Sequence, residues 1–136
     1  MNKIMKDKKQ YALENKLWID EIGKSEDVLK LANGVLYKVI QSGDGSKHPT
    51  PQSVITAHYT GKTIDGKVFD SSKGGAPLAN RLSELIDGWI IALQNMTIGD
   101  KWEIYIPAEM GYGKYSQPGI PAYSTLIFEI ELLGIF

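Results

Sequence analysis

From about residue 34 the apolar positions recur with a period of two. Lys101 to Ile106 places Trp102, Ile104 and Ile106 on one side and Lys101, Glu103 and Tyr105 on the other. Thr125 to Leu132 repeats the pattern, with Leu126, Phe128, Ile130 and Leu132 opposed to Thr125, Ile127, Glu129 and Glu131. Alternate side chains of a strand share a face, so both segments predict half-buried strands. Val35 to Ile40 is rich in strand formers and runs into the Gly43-Asp44-Gly45 turn. Val54 to Thr60 reads as the next strand, and Asp65-Gly66 is a hairpin signal ahead of Lys67-Val68-Phe69. Between these strands one segment, Trp89 to Asn95, has helical character and stops before Gly99. Several strands with one central helix predict an α+β fold, in which the helix covers the apolar face of an antiparallel sheet.

Residues 1–33 have a different texture. Lys6 to Ile22 is rich in helix formers, and Leu13, Leu17 and Trp18 fall at spacings that share one helical face, with Gly23 as the stop. A second helical piece is predicted from Ser25, an N-cap followed by Glu26 and Asp27, to the Asn33-Gly34 break. The segment is too short to bury a core alone. It therefore reads as an N-terminal helical extension, with the domain proper over 34–136.

Composition narrows the function classes. The 136 residues suit one domain with a real core, and 43% hydrophobic with 23% charged residues is a soluble balance. A net charge of -1 offers no basic surface for nucleic acid. There are no cysteines and only two histidines, His48 and His58, which fall short of a zinc ligand set. No stretch has the length of a membrane span, and the lysine-rich start leads into no continuous apolar run. These features predict a cytoplasmic protein with no membrane contact, no metal and no cofactor; a mature secreted or periplasmic form would read the same way.

The chemistry-bearing residues come in ordered blocks. Ala57-His58-Tyr59-Thr60-Gly61 is followed by Asp65-Gly66-Lys67-Val68-Phe69-Asp70-Ser71-Ser72, then Leu85-Ile86-Asp87-Gly88-Trp89. Met96-Thr97-Ile98-Gly99 and Ile106-Pro107-Ala108-Glu109-Met110-Gly111-Tyr112-Gly113 come next, then Pro118-Gly119-Ile120-Pro121 and Thr125 to Leu133. Together they resemble the FKBP-type peptidyl-prolyl cis/trans isomerases over about residues 34–136. The resemblance implies a half-open antiparallel sheet wrapped around one short central helix. It also implies a pocket floored by Trp89 and walled by Tyr59, Phe69, Leu85, Ile86, Tyr112 and Phe128, with Leu78 at its rim. In that pocket the Ile86 N–H and the Tyr112 hydroxyl would donate to carbonyls, Asp70 would face the twisting amide, and Ile120 would line an overhanging loop. Asp70, Tyr112, Phe69, Trp89 and Phe128 are thus the catalytic candidates. Tyr59, Leu78, Leu85, Ile86 and Ile120 are the substrate-binding ones.

Plainer readings exist for each. Alone, Trp89 would be a core residue and Asp70 in Phe-Asp-Ser-Ser a turn residue. Trp102, on an alternating strand, reads as core, and His58 as a strand histidine facing away from Tyr59. The blocks in order, not any one residue, favour the pocket. The implied activity is isomerisation of X–Pro bonds in folding proteins, with a non-catalytic proline-binding chaperone or assembly module as the alternative. Implied partners are proline-containing polypeptides and macrolide ligands.

Some positions depart from the family pattern. Leu78 stands where many members have phenylalanine, Asn80 where an apolar strand residue is common, and Gln117 where histidine is frequent. Lys73 and Arg81 are the available cations for Asp70. Ile90 and Ile91 are apolar where family helices are often acidic. Either both are simply tolerated there, or they predict a contact with Leu13, Leu17 or Trp18 of the extension or with a second subunit, giving a monomer or a dimer formed through the extension.

Overall fold

The computed structural model describes residues 7–136; the first six residues of the predicted extension lie outside them. The chain opens with α1 (Lys8–Ile22), capped by the Asp7 carboxylate, which accepts from the Gln10 N–H. Seven strands follow among the described residues: β1 (Leu29–Lys30), β2 (Leu36–Gln41), β3 (Val54–Lys62), β4 (Val68–Ser71), β5 (Leu78–Arg81), β6 (Lys101–Ile106) and β7 (Leu126–Ile135). One short helix, α2 (Asp87–Leu93), lies between β5 and β6.

All pairings are antiparallel, in the order β1-β2-β6-β7-β3-β4. The outer edge of β3 is shared. Its first half pairs with β5, Val54 to Ala57 against Arg81 to Leu78, and its second half pairs with β4. The inward residues of β6 and β7 are those the alternation predicts: Ile104, Ile106, Leu126, Ile130 and Leu132 are fully buried, against Ala92 and Leu93 of α2. Trp102 is core, stacked on Tyr37 at 4.0 Å.

How closely α2 lies on the sheet is set by one position. A Cβ on Gly88 would sit 2.5–2.7 Å from three side-chain atoms of Ile106. Only a residue without a side chain lets the helix backbone approach β6 so nearly, and that approach places Trp89.

Two expectations are corrected. The segment from Ser25 to Gly34 is no helix: Leu29 and Lys30 pair with Tyr37 and Leu36, and a short 3-10 turn follows at Ala32–Gly34. So few residues cannot sustain a helix alone, and the free edge of β2 offers them hydrogen bonds. β5 carries no sequence signal of its own; it is a strand because it pairs with β3.

The second correction concerns α1. Leu13 and Leu17 are 56% and 58% exposed, whereas Asn15 and Ile19 are buried. At 3.6 residues per turn these pairs lie roughly 200° apart. The helix docks through Ile19, with Trp18 and Ile22 beside it, on Leu36, Tyr105 and Ile127. That is the outer face of the sheet, opposite α2, so α1 does not meet Ile90 and Ile91, which pack against the main core. The cause is the pair Tyr105 and Ile127, bulky residues on an otherwise charged face.

Gly88→Ala is expected to destabilise the protein by about 1–3 kcal/mol, the usual penalty of overpacking. Urea unfolding would show it. The penalty should shrink when Ile106→Ala clears the space, giving a strongly non-additive double mutant.

Candidate functional site

Four aromatic rings from four elements meet at one end of the core. Tyr59 comes from β3, Phe69 from β4, Trp89 from α2 and Phe128 from β7. Trp89 meets Tyr59 edge to face at 5.4 Å and Phe128 at 5.3 Å, and Phe128 meets Phe69 in the same way at 5.5 Å. Such packing is favoured by ring quadrupoles and leaves little freedom of tilt. It also needs room. Gly61 lies opposite Phe128 in the β3–β7 register, and a Cβ there would come within 2.6 Å of both phenylalanine rings.

Above the rings is an open cleft of about 200 Å³, lined by Tyr59, Phe69, Asp70, Leu78, Leu85, Ile86, Trp89, Tyr112 and Phe128. The structure thus brings together nine of the ten residues expected. The indole of Trp89 is largely buried yet faces the cleft, where it forms part of the lining. Ile120 is the exception. It is buried in the main core and is absent from the lining. It sits in a tight turn in which Gln117 and Ile120 exchange N–H···O=C bonds of 2.9 and 2.8 Å, and it lines a neighbouring cleft with Gly119 and Pro121.

Few polar groups reach this lining. The Tyr59 hydroxyl donates to Asp70 Oδ2 at 2.6 Å, while Asp70 Oδ1 accepts the Ser71 N–H at 2.9 Å. Among the described residues neither Lys73 nor Arg81 pairs with Asp70, whose side-chain partner is the Tyr59 phenol. Burial pushes the Tyr59 phenol up to about 12, helped by its bond to Asp70, the carboxylate charge and, last, the Tyr112 phenol. The Ile86 N–H, just before α2, and the Tyr112 hydroxyl have no partner among the described residues. Both donors remain available to a guest. Tyr112 itself stands on a loop whose Gly113 N–H donates to Ala108 O, after the 3-10 turn Ala108–Met110.

Sequence reasoning missed the part of Gly61. The glycine ends the Ala57–Gly61 block, and its signal was a residue without a side chain inside a strand, which marks a close approach by something else.

With this geometry in view, the comparisons are decisive. The family model described as FKBP-type peptidyl-prolyl cis-trans isomerase matches residues 45–133. The chain belongs to that family. The FKBP-type 22 kDa peptidyl-prolyl cis-trans isomerase of Escherichia coli is 43% identical over 126 residues, 91% of this chain and 61% of the relative. The isomerase FkpA of Escherichia coli is 37% identical over 134 residues, 98% of this chain and 49% of the relative. Outer membrane protein MIP of Legionella longbeachae is 43% identical over 110 residues, 79% of this chain and 47% of that protein. The chain therefore spans about half to three fifths of the length of these relatives. Among solved structures, a peptidyl-prolyl cis-trans isomerase from Pseudomonas syringae superposes with a TM-score of 0.89 at 30% identity, covering 98% of both chains. FkpA superposes with a TM-score of 0.87 at 37% identity, over 93% of this chain and 60% of that one. No helix among the described residues of this FKBP-type chain is long and apolar enough to cross a membrane.

Removing the Asp70 charge tests the polar arrangement. In Asp70→Asn the Tyr59 pKa should fall from about 12 part of the way towards 10, since burial persists. An alkaline titration followed by the tyrosine ring-carbon shift would read this. Because the folded value lies above the unfolded one, the pair's contribution to stability is complete below pH 10 and is lost as pH rises towards 12.

Proposed function

We propose that this chain catalyses cis/trans isomerisation of X–Pro bonds in folding polypeptides. The observation that carries the reading is an apolar cleft with an indole at its base and two unpartnered donors, the Ile86 N–H and the Tyr112 hydroxyl, at its lining.

The barrier to rotation, about 18–20 kcal/mol, is amide resonance. At the top of that barrier the amide is twisted and its resonance is lost. The carbonyl is less polarised there, so the transition state is less dipolar than either planar form. A cleft built of Phe69, Trp89, Leu85 and Phe128 solvates a planar amide poorly compared with water and loses less when the amide is twisted. This is binding that favours the transition state, with no bond made or broken. About 1.4 kcal/mol of preference gives each tenfold in rate, so roughly 5–7 kcal/mol suffices for an effective isomerase.

The remaining groups have assigned roles. The proline ring rests on Trp89. The Ile86 N–H and the Tyr112 hydroxyl donate to the carbonyls that flank the rotating bond and fix the chain while it turns. Asp70 faces the rotating imide and holds Tyr59 in place through its 2.6 Å bond. Leu78 and Leu85 supply an apolar wall for the residue before proline, so an apolar side chain is preferred there. Macrolide-type ligands of the family would compete for the same cleft.

Three outcomes are expected in a peptide assay that follows relaxation of an X–Pro bond. The wild-type chain accelerates it, and binding without acceleration would leave a non-catalytic proline-binding module. Asp70→Val and Tyr112→Phe each lower kcat/KM by about tenfold while melting stays close to wild type; wild-type rates in both would remove their roles. The rate should also be level from about pH 6 to 8, since no proton moves and Tyr59 titrates only near 12. A bell-shaped profile in that window would overturn the mechanism.

A further inference from the structure

Besides packing on the sheet, the helix α1 is joined to the loop that carries Tyr112 by hydrogen bonds to buried residues. The Asn15 side chain is 2% exposed. Its Oδ1 accepts the Thr125 N–H at 2.7 Å, and its Nδ2 donates to Tyr11 O at 2.8 Å. One turn earlier, the Tyr11 hydroxyl shares a 3.0 Å bond with Ser124 Oγ, which donates to Pro121 O at 2.6 Å. Ser124 and Thr125 are both buried.

The residue next to this anchor closes the loop. The Tyr123 N–H donates to Gly113 O at 2.8 Å, and Gly113 follows Tyr112 directly. Tyr123 is also in the left-handed region, at φ 67, one of two such non-glycine residues among those described. A tyrosine holds that conformation only when its surroundings impose it. Here the Gly113 carbonyl stands on one side and the Ser124–Thr125 anchor on the other. Midway along the loop Gly119 lies against Phe69, where a Cβ would come within 3.2 Å of the Phe69 Cβ.

We propose that Tyr11 and Asn15 are positioning residues: through Ser124, Thr125 and Tyr123 they hold the 111–125 loop so that the Tyr112 hydroxyl stays in the cleft. The proposal rests on the isomerase reading for its kinetic consequence, but the loop's order can be read without it. Deleting either link leaves the cleft lining chemically intact. Freed from the anchor, Tyr123 relaxes from its left-handed conformation, its bond to Gly113 opens, and Tyr112 samples positions away from a bound carbonyl.

The test uses the full chain with Tyr11→Phe, which removes one hydroxyl, and Asn15→Ala, which leaves a buried N–H unpaired. Leu17→Ala, on the exposed face of α1, is the control. Amide hydrogen exchange should show faster exchange at Tyr123 in both variants and unchanged exchange in Leu17→Ala. With a Leu-Pro tetrapeptide well below melting, kcat/KM is expected to fall about threefold in Tyr11→Phe and about tenfold in Asn15→Ala. Adding Tyr112→Phe to either should cost much less than it does in the wild-type chain, because the hydroxyl is already displaced. A purely structural role predicts lower melting temperatures with wild-type kcat/KM, or an undiminished Tyr112→Phe effect in each background; either result overturns the proposal. Should Asn15→Ala fail to fold, Tyr11→Phe decides alone. Should the wild-type chain not accelerate the peptide, the isomerase reading fails, and Tyr123 exchange still decides whether α1 holds the loop.

Discussion

Close approach at two glycines governs the geometry of the cleft. Gly88 lets the backbone of α2 settle onto Ile106, and Gly61 lets the rings of Phe69 and Phe128 meet over β3. The first sets the depth of the Trp89 indole, and the second sets the wall beside it. The edge-to-face contacts then fix the ring tilts, because no two of the rings can lie flat together without separating the others. The site is thus placed by packing between regular elements, which are stiffer supports than loops. Leu85 and Ile86 stand in the short link before α2, and Tyr112 stands on a longer loop, where its position needs outside help.

The inner face of the sheet was legible because the alternation of β6 and β7 is nearly unbroken: every inward residue from Leu126 to Leu132 is apolar and buried. The cleft was legible for another reason. Its residues stand in contiguous blocks that resemble a known family, and the fold delivers those blocks to one place. Local patterning alone would have left Trp89 in the core and Asp70 in a turn.

What stayed hidden depended on partners distant in sequence. β5 is four residues with Asn80 in the middle, a strand only because Val54 to Ala57 lies beside it. The docked face of α1 was misread because its most buried side chain is an asparagine, while its two leucines face outward. Apolar spacing cannot reveal a contact made by hydrogen bonds. The complementary signal lay on the sheet, where Tyr105 and Ile127 interrupt a row of charges. Ile120 differs in another way: it lines a neighbouring surface cleft with Gly119 and Pro121 and not the aromatic one.

The outer border of β3 is divided between two strands of four residues each, and at the opposite side β1 is only two residues long. Long unpaired borders recruit extended chains through main-chain ladders. For the activity proposed above, a lengthy free ladder would hold an extended peptide away from the cleft. Fragmented borders offer no such ladder and leave the aromatic cup as the better place for a peptide to rest.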